Sequence, residues 1–116
     1  MNRLLEKSFV NSNELEALLK AREEGKVDFL LVDVREQMEY DMGHIKGVDM
    51  LKPTSSFQSW ASNFLDKYKD KTVIFTCRTD ARSGSVQRVF QQNGMNNVIN
   101  HAGGIVSYRG EIERAI

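Results

Sequence analysis

Residues 27–34, VDFLLVDV, form the most strand-like stretch of the chain, and residues 72–76, TVIFT, form a second one directly before Cys77. Both runs are nearly all apolar over the length of a strand, which is typical of a strand covered on both faces. The stretches around them carry apolar residues at helical spacing, and this alternation indicates βαβ units. The sequence therefore predicts an α/β fold in which a mainly parallel central sheet is flanked by helices on both faces.

The other predicted elements are shorter and are bounded by glycine, proline and capping residues. The predicted helices run from a cap at Ser12 or Asn13 to Gly25, over residues 36–42, over residues 56–68, from about Ser83 to Asn93, and over residues 105–116. The predicted short strands lie at residues 9–10, 48–51 and 98–99. On the fourth helix, Val86, Val89 and Phe90 are expected to share the buried face. The 116 residues leave room for one core, so we expect a single domain over residues 1–116.

Composition and charge argue against several classes of function. The 16 basic and 16 acidic residues balance, whereas a nucleic-acid-binding domain usually has a basic excess, so we expect no nucleic-acid partner. Cys77 is the one cysteine, which rules out an internal disulfide and argues against a cysteine-ligated zinc site. Charged residues occur within the first seven positions, where no apolar run like that of a signal peptide is present, and no stretch reaches the length of a membrane span. We therefore expect a cytoplasmic protein with no membrane partner and a reduced thiol.

Cys77 stands at the start of a loop between a predicted strand and a predicted helix. Ligands of open α/β sheets bind beyond the carboxyl ends of the strands, which makes Cys77 a candidate active-site residue. A lone cysteine is more often a small buried hydrophobe, but the residues after this one are charged, polar or small, which is unusual for a core position. They are Arg78, Thr79, Asp80, Ala81, Arg82, Ser83 and Gly84. If the loop wraps around the sulfur, its amide hydrogens and the start of the next helix form a cradle for a thiolate, an added sulfur or an oxyanion.

Three blocks of the sequence, in this order, resemble the signature of a single-domain rhodanese. The first is LVDVRE at residues 31–36, followed by Glu39-Tyr40 and by GHIKG at residues 43–47; the second is CRTDARS at residues 77–83; the third is Gly103-Gly104-Ile105. Each block alone is a weak or moderate indication of the family. The first block, with its two motifs at this spacing and followed by a cysteine loop after a strand, is a strong one. The resemblance spans residues 31 to about 108 and implies a rhodanese-like three-layer fold.

The resemblance also implies a reaction and a role for each group of residues. Cys77 is implied to be the nucleophile that carries sulfur as a persulfide, and residues 78–83 are implied to form its substrate-binding and anion-binding loop. Asp33, Arg35 and His44 are implied to be structural residues that tie loops to the sheet. The implied reaction moves sulfur from a donor such as thiosulfate to cyanide, a thiol, a sulfur-carrier protein or a thioredoxin-like reductant, without a metal or an organic cofactor.

Several residues depart from the family pattern or lie outside it. Asp80 stands where the loop often has glycine, and we expect its carboxylate to face outward and to pair with Arg78 or Arg82. Tyr108 stands where tryptophan is common, and we expect it to supply an aromatic wall. Residues 49–53, DMLKP, differ from the usual run and should alter the rim of the site. His101 has no motif behind it and is expected to be a surface or turn residue.

Two other functions compete with sulfur transfer. A cysteine-dependent phosphatase or arsenate reductase would resemble Cys-X5-Arg, whereas Cys77 to Arg82 is Cys-X4-Arg, a shorter loop that fits one sulfur atom and crowds a phosphate. A non-catalytic rhodanese-like binding module would commonly lack the cysteine, which this chain retains. With no second cysteine in the chain, the acceptor must come from outside, and the sequence does not specify the oligomeric state.

Overall fold

The computed structural model describes residues 2–115, and its centre is a five-stranded sheet in which every pairing is parallel. The strands are β1 (Phe9–Val10), β2 (Leu30–Asp33), β4 (Met50–Leu51), β5 (Val73–Thr76) and β6 (Val98–His101), in the order β1-β6-β5-β2-β4. A separate pair, β3 (His44–Ile45) and β7 (Ile112–Glu113), is antiparallel. Strand β5 is therefore the central strand, and its carboxyl end leads directly into Cys77.

Four α-helices connect and cover the strands. They are α1 (Ser12–Glu23), α2 (Gln37–Met42), α3 (Phe57–Tyr68) and α4 (Ala81–Gln92), and three short 3₁₀ segments lie at Asn2–Glu6, Thr54–Ser56 and Ile105–Ser107. Within residues 2–115 the longest of these helices has 12 residues, and none is long and apolar enough to cross a bilayer.

Alternate residues of the strands fill two cores, one on each face of the sheet. In β5, for example, Val73 and Phe75 face one core and Ile74 faces the other, as the two-residue period of a strand requires. The core under α3 and α4 contains Val32, Val34, Trp60, Phe64, Val73, Phe75, Cys77, Val86, Phe90, Met95 and Val98. The core under α1 contains Val10, Leu15, Leu18, Phe29, Leu31, Ile45, Ile74 and Ile99. This arrangement confirms the predicted α/β fold with helices on both faces of a mainly parallel sheet.

The cap of α1 is Asn11, one residue before the earlier of the two predicted caps, Ser12 and Asn13. Asn11 Oδ1 accepts a hydrogen bond from Glu14 N at 2.8 Å, and Glu14 Oε1 accepts one from Asn11 N at 2.9 Å. This reciprocal pair is a capping box, and such a cap contributes about 1 kcal/mol. The Ser12 hydroxyl is turned inward, where it bonds His101, so it serves a different purpose.

The predicted helix over residues 105–116 is wrong for the residues that the structure describes, and Ile116 lies outside them. The 3₁₀ segment Ile105–Ser107 is followed instead by β7, which pairs with β3, a strand that the sequence did not predict. Residues 111–115 are exposed, so a helix there would bury no apolar stripe. The strand pairing instead satisfies backbone groups such as Lys46 N, which donates to Glu111 O at 3.0 Å.

Helix α4 begins at Ala81, about two residues earlier than predicted, and one of its three expected core residues is not buried. Val86 and Phe90 are buried, whereas Val89 is 38% exposed. Val86 and Phe90 are four residues apart and share one row of the helix surface, while Val89 lies on the neighbouring row. The helix therefore presents an apolar side chain to solvent beside the loop that carries Cys77.

Candidate active site

Cys77 lies at the carboxyl end of the central strand, and its side chain is buried. The residue is 1% exposed and belongs to the core that packs under α3 and α4. Its sulfur nevertheless has polar neighbours: Ser83 N donates to Sγ at 3.4 Å, and Ser83 Oγ lies 3.2 Å from Sγ. The thiol is thus set between an apolar core and the first turn of α4.

The turn at Gly103-Gly104 holds the first part of the loop from the other side. Ile105 N donates to Cys77 O at 2.9 Å, and Val106 N donates to Arg78 O at 3.2 Å. Gly104 has a φ of 66°, and a Cβ at this position would overlap the carbonyl oxygens of Arg78 and Thr79. Only glycine allows this approach. The carbonyl groups at the start of the loop are therefore tied to the segment that follows Gly104.

The predicted cradle of several amides around the sulfur is only partly formed. Among the described residues, the amide of Ser83 is the one that donates to Cys77 Sγ. Arg78, Thr79, Asp80 and Ala81, the four residues that follow Cys77, are exposed. The exposed position of Asp80 agrees with its expected outward direction, but within residues 2–115 it forms no ion pair with Arg78 or Arg82.

The guanidinium of Arg82 is bound by Glu39 of α2. Arg82 Nη1 and Nη2 donate to the two carboxylate oxygens of Glu39 at 2.7 and 2.9 Å. This paired hydrogen bond lowers the pKa of Glu39 to about 2 and raises the pKa of Arg82. Arg82 thus links α2 and α4, and its implied role in anion binding stays a prediction.

Ser83 stands between Cys77 and Asn100, a residue of β6 that the sequence did not single out. Ser83 Oγ lies 2.5 Å from Asn100 Oδ1, 3.2 Å from Cys77 Sγ and 3.3 Å from Asp80 O. A hydroxyl carries one hydrogen, so Ser83 can donate fully to one of these acceptors at a time. The sequence does contain a signal for Asn100: it is an amide side chain near the carboxyl end of the strand VINH, and ligands of α/β sheets bind at the carboxyl ends of the strands.

Asp33 and Arg35 form a buried ion pair at the end of β2. Arg35 Nε donates to Asp33 Oδ1 at 3.0 Å, and Arg35 Nη2 donates to Asp33 Oδ2 at 2.8 Å. Arg35 Nη2 also donates to Gly43 O at 2.7 Å, so the pair connects β2 to the turn before β3. These contacts suit the structural role that the family resemblance implies for both residues, and that role stays a prediction.

His44 is packed in the same region and does not approach the thiol loop. Its Nδ1 bonds Tyr40 O at 2.9 Å, and its ring stacks on the ring of Tyr40 with centroids 3.8 Å apart. Its Nε2 lies 3.9 Å from Glu113 Oε1 of β7. His44 thus contacts α2 and β7, which again suits the implied structural role without testing it.

The expectation that His101 is a surface or turn residue is wrong, because its side chain is fully buried at the carboxyl end of β6. Its Nδ1 lies 2.8 Å from Thr76 Oγ1, and its Nε2 lies 2.8 Å from Ser12 Oγ. Ser12 Oγ also lies 2.6 Å from Ser107 Oγ. Burial lowers the pKa of His101 to about 4, so the ring is neutral at neutral pH. Through His101 of β6, this network joins β5, α1 and the segment after Gly104. Its member in β5, Thr76, is the residue directly before Cys77.

Tyr108 packs beside this network rather than against the sulfur. Its ring meets that of His101 edge to face, with centroids 6.2 Å apart. Burial raises the pKa of Tyr108 to about 12, so its hydroxyl stays protonated at neutral pH. Its aromatic ring therefore supports His101, and the predicted role as a wall of the substrate site stays untested.

An apolar pocket of about 320 Å³ lies beside the first turns of α4, next to the thiol loop. It is lined by Thr54, Phe57, Ala81, Arg82, Ser85, Val86 and Val89. As for metal ligands, no three His, Cys, Asp or Glu side chains within residues 2–115 are grouped as an ion site would require.

The chain is similar in sequence to several curated proteins. Among curated proteins, the chain is similar to a tRNA uridine(34) hydroxylase of Photorhabdus laumondii, with 30% identity over 84 residues that cover 70% of this chain and 24% of that protein. It is also similar to the probable adenylyltransferase/sulfurtransferase MoeZ of Mycobacterium tuberculosis, with 28% identity over 83 residues that cover 72% of this chain and 21% of that protein. The chain thus spans less than a quarter of the length of these relatives.

Solved structures agree on the fold. A rhodanese-like domain protein from Staphylococcus aureus has a TM-score of 0.74 at 24% identity and covers 93% of this chain and 98% of its own. The family model for the rhodanese-like domain matches residues 14–111, which include the first-block motif, the Cys77 loop and the glycine pair. The resemblance drawn from the sequence is confirmed, and the chain belongs to the rhodanese-like domain family.

Proposed function

We propose that this domain transfers a sulfane sulfur atom through a persulfide on Cys77. The observation that carries the proposal is the position of the thiol at the end of the central strand β5, with the amide and hydroxyl of Ser83 next to Sγ. Membership of the rhodanese-like family supports sulfur transfer or a related chemistry, and one relative is named a probable sulfurtransferase. Another relative is named for a different reaction, the hydroxylation of a tRNA uridine. Because the relatives differ in activity, the proposal depends on the Cys77 thiol rather than on the names of the relatives.

The reaction has two half-reactions and needs no oxidant. The Cys77 thiolate attacks the outer sulfur of a donor such as thiosulfate, a new S–S bond forms, and the bond from that sulfur to the sulfonate group breaks. Sulfite leaves with the bonding electron pair, and the Cys77 persulfide remains. A thiophile such as cyanide then attacks the outer sulfur, thiocyanate leaves, and the thiolate is restored. This is covalent catalysis with a ping-pong sequence.

Access to the sulfur requires the loop to move. Cys77 is 1% exposed, whereas residues 78–81, which follow it in the loop, are exposed. Arg78 is exposed and, within residues 2–115, has no ion-pair partner, so its charge is available to attract an anionic donor. A loop anchored by Ile105 N and Val106 N at its start can open at its exposed tip while its base stays in place.

The acceptor must come from outside the chain, because Cys77 is the one cysteine and no internal thiol can take the sulfur. We propose a small thiol, a sulfur-carrier protein or a thioredoxin-like reductant as the acceptor in a reducing compartment such as the cytoplasm. The exposed loop tip is the part of the site that such a partner can reach first.

The burial of Cys77 favours a second candidate, a rhodanese-like module that binds partners without catalysis. A thiol enclosed by core residues with one amide donor matches the surroundings of a structural cysteine better than those of an activated one. A phosphatase has less support, since the guanidinium of Arg82 is bound by Glu39 and is not available to hold an oxyanion.

The direct test is incubation with thiosulfate, followed by mass spectrometry of the intact protein under non-reducing conditions. We expect the wild type to gain the mass of one sulfur atom, and Cys77→Ser to gain nothing, because the persulfide needs the thiolate. Absence of a gain on the wild type, under conditions that load a known rhodanese, would favour the binding module. A gain that persists in Cys77→Ser would place the chemistry elsewhere.

Steady-state thiosulfate:cyanide kinetics test the role of the loop charge. Arg78→Ala should raise KM for thiosulfate about tenfold, since one charged contact with an anion contributes about 1.5 kcal/mol. Arg88→Ala is the matched control, because Arg88 is an exposed arginine of α4 whose guanidinium bonds Ser85. Equal effects of the two variants would show that Arg78 acts only through overall charge.

A further inference from the structure

Within residues 2–115, the Ser83 hydroxyl is the polar side-chain group that hydrogen-bonds to the Cys77 sulfur, and a second acceptor competes for its hydrogen. Ser83 Oγ is 3.2 Å from Cys77 Sγ but only 2.5 Å from Asn100 Oδ1. The closer partner is an oxygen, which accepts hydrogen bonds better than a thiol sulfur does. The hydroxyl hydrogen therefore lies toward Asn100, and the Ser83 oxygen is free to accept the hydrogen of the thiol.

Both partners of this contact are fixed on regular elements. Ser83 is fully buried in the first turn of α4. Asn100 belongs to β6, between β1 and β5, and its backbone N donates to Ser8 O at 3.0 Å. Because helix and strand hold the two side chains, rotation of the Ser83 hydroxyl is the small movement that can change the bonding around the sulfur.

Two arrangements of hydrogens follow. With Cys77 as a thiol, S–H donates to Ser83 Oγ, and Ser83 O–H donates to Asn100 Oδ1. When the thiol releases its proton to solvent, the sulfur becomes an acceptor, and Ser83 O–H turns toward it. Asn100 Oδ1 then loses its donor, which costs free energy because the group is partly buried. The amide oxygen of Asn100 thus opposes the ionisation of Cys77.

We propose that Asn100 is a positioning residue of the sulfur-transfer site, which sets the direction of the Ser83 hydroxyl and thereby the fraction of Cys77 present as thiolate. The inference deepens the proposed function and rests on it, because the thiolate is the form that attacks the donor. In this arrangement Asn100 favours the protonated thiol, and a change that draws Asn100 away from Ser83 raises the fraction of thiolate.

The effect can be assigned to the Asn100 hydrogen bond only if the charged groups near the thiol are the same in the wild type and in the neutral variants Asn100→Ala and Asn100→Ser. These groups are Arg78, Asp80 and Arg82 of the loop and the start of α4, Glu39 of α2, which binds Arg82, and the Asp33–Arg35 pair at the end of β2, beside β5. The neighbouring His101 stays neutral over the relevant range, since burial lowers its pKa to about 4. Substitution of Asn100 leaves all of these groups in place.

The test is a titration of the thiolate by its ultraviolet absorbance, taken as the difference between each protein and the same protein with Cys77→Ser. Asn100→Ala should lower the midpoint of the titration and raise the thiolate fraction at neutral pH about threefold to tenfold, the effect expected for one competing hydrogen bond. Asn100→Ser is the second variant, because it keeps a polar side chain in the strand and is too short to reach Ser83. A midpoint that rises or stays constant in both variants would overturn the proposal.

Two further variants separate positioning from charge and from packing. Asn100→Asp places a charged acceptor beside Ser83 and should raise the midpoint more when Ser83 is present than in the Ser83→Ala background, where only the added charge acts. Asn97→Asp, at an exposed residue just before β6, is the control for an added surface charge. In the Ser83→Ala background, Asn100→Ala should leave the midpoint unchanged, because the coupling passes through the hydroxyl. An equal shift with and without Ser83 would contradict that coupling. The titration reads ionisation alone, so its failure is distinguishable from a failure to load sulfur.

Discussion

His101 is held neutral by its surroundings, and this has a measurable consequence at the scale of one residue. Burial lowers its pKa from 6.5 to about 4 in the folded protein. The unfolded chain binds a proton near pH 6.5, so between pH 6.5 and 4 the unfolded state holds more protons at this site than the folded state. The free energy of unfolding therefore falls as the pH drops through this window, by up to about 3 kcal/mol.

Comparison of the wild type with His101→Gln isolates this contribution. We expect the variant to be less stable at pH 7, because the bonds to Thr76 and Ser12 are weakened, and to lose less stability than the wild type between pH 6.5 and 4. Urea unfolding at a series of pH values measures both effects. Parallel curves for the two proteins would show that His101 titrates in the folded state as it does in the unfolded chain.

At this scale the sequence predicts residues that belong to a local motif and misses residues defined by distant partners. Cys77 could be selected because the six residues after it form one recognisable loop. Asn100 meets Ser83 across 17 residues, Glu39 meets Arg82 across 43, and His101 meets Thr76 across 25. These contacts depend on which strands and helices become neighbours in the fold. The order of residues along the chain does not show which two distant side chains will meet.

At the scale of elements, the Asp33–Arg35 pair connects the end of β2 to the turn before β3. Both side chains are buried, and Arg35 also binds Gly43 O. Asp33→Asn removes the negative charge and leaves the buried guanidinium without a counter-ion, so we expect a loss of about 3 to 5 kcal/mol of stability. Chemical denaturation measures this loss.

The exposed pair Lys46–Glu111, which joins the same region to the chain before β7, provides the control. Lys46→Ala should leave the unfolding midpoint unchanged within error, because solvent screens exposed charges. If Asp33→Asn were as mild as Lys46→Ala, the buried pair would not be a structural tie, and the role implied by the family resemblance would fail for both residues.

The same scale shows which elements a pattern can predict. Strands β2 and β5 are apolar runs covered on both faces, and their composition alone identifies them. Strands β3 and β7 have two residues each and pair with one another across most of the chain, so neither has a detectable period. The predicted helix over residues 105–116 does not form in the part of it that the structure describes, because exposed residues such as 111–115 gain nothing from helical packing.

At the scale of the whole molecule, the sheet separates two cores, and Cys77 belongs to one of them. Leu18 of α1 is fully buried in the other core, on the opposite face. A destabilising change at Leu18 therefore promotes global unfolding without touching the thiol loop. This separation makes it possible to ask whether reagents reach Cys77 through a local opening of residues 78–81 or only through unfolding of the domain.

Leu18→Ala should lower the stability by at least about 2 kcal/mol, which raises the population of unfolded molecules about thirtyfold. If the loop opens locally, as sulfur transfer requires, the rate at which iodoacetamide alkylates native Cys77 should be the same in Leu18→Ala and in the wild type. Mass spectrometry of quenched samples measures that rate on the one cysteine. A rate that rises in proportion to the unfolded population would mean that the thiol is reached only when the domain unfolds. Cys77 would then be a structural core residue, and the binding module would replace sulfur transfer as the function of this chain.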